Sequence, residues 1–124
     1  MNHKSFDFDT QKVSFNGMIH WIDSHAHLYD FTSQECEAIS QGAQLHKVGT
    51  IINTATSLSN AKTVIIQSRD NESFYAAVGI SPFDVNDLPQ NWSKELSHLL
   101  NQEKVIALGE IGLDLSNSRY PSLD

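Results

Sequence analysis

The sequence is poor in cysteine and in basic residues, and each shortage excludes a class of protein. Its 124 residues include a single cysteine, Cys36, which excludes an internal disulfide and a cysteine-based zinc site. Lys and Arg number 8 against 15 Asp and Glu, a formal net charge of −7, which argues against a broad basic surface for nucleic acid. A phosphate substrate held by bound metal stays compatible with this balance, because the metal brings its own positive charge.

Long hydrophobic runs are also missing. The longest, Val105-Ile106-Ala107-Leu108, is far too short to cross a bilayer. The first ten residues contain Asp7 and Asp9 but no apolar run, which is not the pattern of a secretory signal peptide. We therefore expect a cytoplasmic protein that does not interact with membranes.

The length predicts one domain, which we place at residues 19–124 after a polar leader over residues 1–18. Within the domain, apolar strand-like runs alternate with amphipathic helical segments. Strands are predicted over residues 19–24, 48–54, 74–79 and 105–109. Such alternation implies an α/β fold with parallel strands and right-handed crossovers. Two architectures fit: an open doubly wound sheet, or part of a (β/α)8 barrel, which typically needs about 250 residues.

The helices between these strands have recognisable signals. Thr32 and Glu35 have the spacing of a capping box, which predicts a helix from there to about residue 46. Ser57 or Ser59 is expected to cap the second helix. The third is amphipathic, with apolar residues at i, i+4, i+7 and i+8, namely Trp92, Leu96, Leu99 and Leu100.

The first candidate site is Asp23-Ser24-His25-Ala26-His27, at the carboxyl end of the first predicted strand. Alternation along a strand places Asp23, His25 and His27 on one side, where two imidazoles can hold a divalent cation. Asp23 is then a candidate to orient a histidine. Functional groups of parallel α/β proteins gather at the carboxyl ends of strands. The alternative is coincidence, since six histidines in a chain of this length yield such a pair by chance about 0.3 times.

The second candidate site is Gly109-Glu110-Ile111-Gly112-Leu113-Asp114, directly after the fourth predicted strand. Glu110 stands at the equivalent strand end and carries an oxygen ligand suited to a hard or borderline cation. Gly109 and Gly112 allow close approach of the backbone. The competing interpretation is an ordinary strand-to-helix turn with Asp114 as a helix cap.

Taken in order, these motifs resemble the TatD family of metal-dependent hydrolases and deoxyribonucleases. The resemblance covers about residues 19 to 115 and rests on three stretches: residues 22–28, Ala77-Val78-Gly79-Ile80-Ser81-Pro82, and residues 107–114. It implies the N-terminal half, four βα units, of a TIM-like (β/α)8 barrel. It also implies a site for two divalent metals (Mg, Mn or Zn), with His25 and His27 as ligands of one metal and Glu110 bridging both. Asp23 and Asp114 would lie behind these ligands or on the substrate side.

The sequence also departs from the family pattern. Ser81 stands where the family usually has a histidine near the substrate, and Leu115 follows Leu113-Asp114 where an aromatic residue is common. The family's later ligands, two histidines and an aspartate, are not among these residues, so no complete catalytic set is expected. We therefore expect a truncated barrel that is weakly active or inactive alone.

Three functions compete at this point. The first is a metal-dependent hydrolase of DNA or another phosphodiester, with the activity belonging to a complete barrel. The second is a catalytically dead remnant, or half of a split enzyme that acts with a partner chain. The third is an unrelated small α/β binding domain. For the first two, the open edges of a half barrel predict self-association, most economically as a two-fold dimer.

Overall fold

The computed structural model describes residues 20–85, 88–112 and 114, and these form one parallel sheet flanked by helices. Four strands and three helices alternate along this part of the chain, and the strands are hydrogen-bonded in the order β1-β2-β3-β4. In chain order the elements are β1 (Trp21–Ala26), α1 (Ser33–Leu45), β2 (Val48–Thr54), α2 (Leu58–Asp70), β3 (Phe74–Val78), α3 (Trp92–Leu100) and β4 (Val105–Leu108). The predicted alternation and parallel pairing are confirmed. The predicted leader lies outside the described residues.

The helix starts follow the capping signals in the sequence. Thr32 caps α1: its side chain accepts the Glu35 backbone N–H, while the Glu35 carboxylate accepts the Thr32 backbone N–H. Of the two predicted caps for α2, the structure selects Ser57, with Asn60 in the reciprocal position. Helix α3 begins at Trp92 without a side-chain cap, so packing of its apolar face must hold it in place.

The middle of the sheet is the core of the molecule. Strands β2 and β3 contribute fully or nearly fully buried side chains, among them Phe74 and Val78. Helix α2 covers them with the predicted face of Ala61, Val64, Ile65 and Ser68, all of which are buried. Helix α1 buries Cys36 beside Ile51 and Phe74. Burial raises the pKa of the Cys36 thiol, and the neighbouring Glu35 carboxylate adds to that effect.

The outer strands differ sharply from this core. Trp21 and Ile22, successive residues of β1 that point to opposite faces, are 67% and 65% exposed. Ile106 and Leu108 of β4 are also exposed. Both faces of β1 at its start, and the face of β4 that carries Ile106 and Leu108, are therefore open to solvent in this part of the chain. No helix among the described residues is both long and apolar enough to cross a membrane.

Candidate metal centre

The ends of β1 and β4 meet at one point. Glu110 Oε1 lies 2.8 Å from His25 Nε2 and 3.4 Å from His27 Nε2, and the two imidazole nitrogens are 3.1 Å apart. Two strands separate β1 from β4, so a flat sheet would hold them about 14 Å apart with parallel side chains. The contact therefore requires the sheet to curl, which brings the carboxyl ends of its first and last strands to face each other.

The spacing of these three atoms suits a divalent cation. Zinc-type bonds to imidazole nitrogen and carboxylate oxygen are about 2.0–2.2 Å long, which separates neighbouring ligand atoms by about 3.3–3.6 Å at the tetrahedral angle and by about 2.8–3.1 Å at a right angle. The separations of 2.8 and 3.1 Å match the right-angle value, and the separation of 3.4 Å matches the tetrahedral one. The donor set of two imidazoles and a carboxylate suits zinc and also accommodates manganese. The three residues present thus fit a metal ion.

The His27 ring is oriented by the neighbouring strand. Its Nδ1 lies 2.9 Å from the carbonyl oxygen of Thr54, the last residue of β2. A carbonyl can only accept a hydrogen bond, so Nδ1 carries the proton and, in the neutral ring, Nε2 presents its lone pair. That lone pair is directed at the point shared with His25 and Glu110, as metal ligation requires.

Glu110 reaches this point from an unusual backbone conformation. Its φ of 49° lies in the left-handed region, which costs a non-glycine residue about 1–2 kcal/mol. The preceding turn is tightly packed, because a Cβ on Gly79 would lie 1.3 Å from the carbonyl oxygen of Gly109. Close packing of the β3 and β4 ends thus fixes the turn that directs the carboxylate toward the histidines.

The remaining predicted residues have other surroundings. The carboxylate of Asp23, the residue predicted to orient a histidine, accepts the backbone N–H of His25 at 3.1 Å, which steadies the end of β1. Asp114 is half-buried beyond Glu110. Ser81, at the position of the family histidine, is buried, and its hydroxyl accepts the backbone N–H of Phe83.

Sequence reasoning missed the residues that support the histidines from β2 and α2. Asn53 is fully buried and its side-chain oxygen accepts the backbone N–H of Leu28, the residue after His27. Gln67 in α2 donates to the Leu28 carbonyl at 2.8 Å. One signal was available: Asn53 directly follows the apolar pair Ile51-Ile52 in β2, and buried polar side chains are normally hydrogen-bonded.

Comparison with known proteins places this chain in a family. The family model described as TatD related DNase matches residues 22–123. The chain belongs to the TatD family. It is 36% identical over 99 residues to "Uncharacterized metal-dependent hydrolase YjjV" of Escherichia coli, and 32% identical over 107 residues to "Uncharacterized metal-dependent hydrolase YabD" of Bacillus subtilis. These alignments cover 77% and 81% of this chain.

A solved structure shows the same fold. The crystal structure of YjjV, a TatD homologue from Escherichia coli, superposes with a TM-score of 0.68 at 32% sequence identity and covers 79% of this chain. The match spans 39% of the YjjV chain, and the alignments to the curated relatives span 38% and 40% of YjjV and YabD. Of the two predicted architectures the barrel is therefore correct, and the described residues form part of it. The unrelated binding domain is excluded.

Proposed function

We propose that His25, His27 and Glu110 form part of the divalent-metal centre of a phosphodiester hydrolase that acts on DNA. The observation that carries the proposal is the triangle of ligand atoms 2.8–3.4 Å apart at the carboxyl end of the sheet. Support for the reaction class comes from the relatives, which are named metal-dependent hydrolases, and from the family, which is described as TatD related DNase.

The chemistry assigns a part to each residue. A bound divalent metal in such a centre supplies Lewis acidity and makes water a stronger nucleophile near neutral pH. His25 and His27 would bind it through Nε2, and Glu110 would bind it through its carboxylate. All three side chains are partly exposed, between 25% and 52%, so a phosphate group can approach them. Thr54 keeps the proton of His27 on Nδ1, away from the centre.

The first experiment tests the metal centre alone. Titration of the 124-residue chain with Zn²⁺ and Mn²⁺ in a calorimeter should give binding that His25→Ala abolishes. The matched control is His98→Ala, which removes an exposed histidine of α3 outside the centre and should bind as the unaltered chain does. Equal binding by both variants would place the metal elsewhere and refute the assignment.

We further propose that the isolated chain binds metal weakly and hydrolyses DNA negligibly. Three ligands leave most of a dinuclear site to water, and even changes behind the ligands of a metal typically cost about 10–100-fold in affinity or activity. Robust DNA hydrolysis by the chain alone, removed by EDTA and by His25→Ala, would contradict this.

The second experiment tests the reaction. A chimera would carry residues 20–112 of this chain in place of the matching segment of YjjV. We expect it to hydrolyse bis(p-nitrophenyl) phosphate and a DNA oligonucleotide, with loss of both activities in His25→Ala. Metal binding without hydrolysis would favour the alternative, a catalytically dead remnant, over the enzyme. Hydrolysis of the small diester but not of DNA would refute the DNA assignment only.

The open strands support a proposal about association. Exposed apolar side chains lie on β1 and on β4. Leu108 of β4 also lines a groove of about 370 Å³ beside α3, together with Trp92, Leu96 and Ile111. We propose that the 124-residue chain, taken alone, pairs with a second copy through these strands. Sedimentation at micromolar concentration should show a dimer that Ile106→Asp weakens, and a stable monomer would refute it. Ile66→Asp, an exposed position on α2, is the control.

A further inference from the structure

A closed ring of hydrogen bonds lies directly behind the candidate metal centre. The Leu28 backbone N–H donates to Asn53 Oδ1 at 3.0 Å, Asn53 Nδ2 donates to Gln67 Oε1 at 2.9 Å, and Gln67 Nε2 donates to the Leu28 carbonyl at 2.8 Å. Gln67 uses its second N–H on the carbonyl of Phe31 at 3.0 Å. The Leu28 backbone groups fix which end of each amide is oxygen, because an N–H only donates and a carbonyl only accepts.

This ring stands where the sheet ends. The last pairing between β1 and β2 joins Ala26 to Asn53, so the backbone of Leu28 has no strand partner. Buried backbone groups without partners are costly, and Asn53 supplies the partner of the Leu28 N–H. The Leu28 carbonyl accepts the Phe31 backbone N–H at 3.0 Å, and Gln67 adds a second donor to it. Asn53 is fully buried and Gln67 is 6% exposed, so water competes little for these bonds.

His27 is therefore held from two sides by adjacent residues of β2. The Asn53 side chain binds the backbone immediately after His27, while the Thr54 carbonyl accepts the proton on the ring nitrogen Nδ1. Gln67, which lies in α2 and 39 residues after Leu28 in the chain, ties this part of the backbone to that helix. A movement of the backbone at Leu28 would take the His27 imidazole away from the Thr54 carbonyl, and the imidazole would then lose its fixed tautomer.

We propose that Asn53 and Gln67 are positioning residues for His27: they hold the end of β1 so that the His27 ring keeps its proton on Nδ1 and directs Nε2 at the centre. The tautomer part stands on the structure alone, and the effect on metal affinity rests on the proposed metal centre. Neither amide touches a ligand atom, so the effect passes through the backbone at Leu28.

The variants are Gln67→Met, which keeps the volume but removes the amide, and Asn53→Ala as a second test of the same ring. The matched control is Ser40→Ala. It breaks another buried hydrogen bond, between the hydroxyls of Ser40 and Ser73 at 2.8 Å, which joins α1 to the segment before β3 at the other end of the sheet. All three variants should lower the melting temperature.

The deciding readout is which nitrogen of the His27 ring carries the proton in metal-free protein. Nitrogen-15 NMR should show the proton on Nδ1 in the unaltered chain and in Ser40→Ala, and a mixture of tautomers in Gln67→Met and Asn53→Ala. Titration with Zn²⁺ should show about 10-fold or greater loss of affinity in Gln67→Met and Asn53→Ala, and no such loss in Ser40→Ala.

Two results would overturn the proposal. One is retention of the Nδ1 tautomer in both ring variants. The other is an equal disturbance of the His27 tautomer by Ser40→Ala. That result would show that the hydrogen bonds of Asn53 and Gln67 stabilise the fold in general and do not position His27. Because the tautomer is measured without metal, it decides the positioning role even if the metal centre fails its own titration.

Discussion

The middle strands and the outer strands of this sheet differ in what they contribute. The middle strands form the buried core, and the outer strands carry the residues of the candidate metal centre. Strands β2 and β3, covered by α2, bury Ile51, Phe74 and Val78 almost completely. Strands β1 and β4 are largely exposed, yet the histidines and the glutamate lie on or directly after them. The ligand-bearing strands thus take their position from neighbours that carry no ligand. The geometry of the candidate metal centre therefore depends on residues outside it.

The largest effect should come from emptying the middle of the sheet. Phe74→Ala removes a fully buried ring and should lower the free energy of unfolding by about 3–5 kcal/mol. Ile106→Ala on β4, where the side chain is 55% exposed, should cost about 0.5 kcal/mol or less. Urea denaturation of both variants measures the difference, and similar costs would show that β4 is as much a part of the core as β3.

A smaller effect should follow from crowding the contact between the ends of β3 and β4. Gly79→Ala places a methyl group on the Gly109 carbonyl and should cost about 1–3 kcal/mol or more while displacing Glu110. The control is Gly42→Ala in α1, where an added Cβ meets nothing within 4 Å. That change should raise stability by about 0.5–1 kcal/mol. Thermal melts compare the two, and a harmless Gly79→Ala would contradict the close packing described above.

The smallest effect concerns the start of α1, outside both regions. The Thr32 backbone N–H and hydroxyl hold the pKa of the exposed Glu35 carboxyl below its usual range. A lowered pKa in the folded state stabilises the fold above the unfolded pKa, and this is lost as the pH falls through the folded value. Glu35→Gln should therefore melt slightly lower than the unaltered chain at pH 7, and the gap should close below about pH 4. A difference in melting temperature that stays constant with pH would show that the charge of Glu35 does not cause the stabilisation.

Much of the fold and part of the site follow from local sequence patterns. Apolar runs between turn signals locate the strands to within two residues, and the capping signals locate the starts of α1 and α2. The location of His25 and Glu110 at the same edge of the sheet follows from their places at the ends of parallel strands, whereas their contact also requires the sheet to curl. Strand β1 continues to Ala26, two residues beyond the predicted end, because Ala26 pairs with Asn53 on β2. Sequence periodicity contains no information on that register.

The support of the histidines could not be predicted for a related reason. The ring around Leu28 joins residues from β2 and α2, and its existence depends on which turn of α2 packs over the end of β1. The left-handed backbone of Glu110 is similarly imposed by the contact between Gly79 and Gly109, not by the preference of glutamate. Both features arise from tertiary packing, which a single sequence does not encode locally.

The contact between His25 and Glu110 also affects the entropy of the chain. His25 and Glu110 are about 85 positions apart along the sequence, and nearly all of the described fold lies between them. A cation bound by both would act as a cross-link that closes this long loop, and it would bind the folded chain far better than the unfolded one. Metal binding would then raise the free energy of unfolding by linking β1 to the residues after β4.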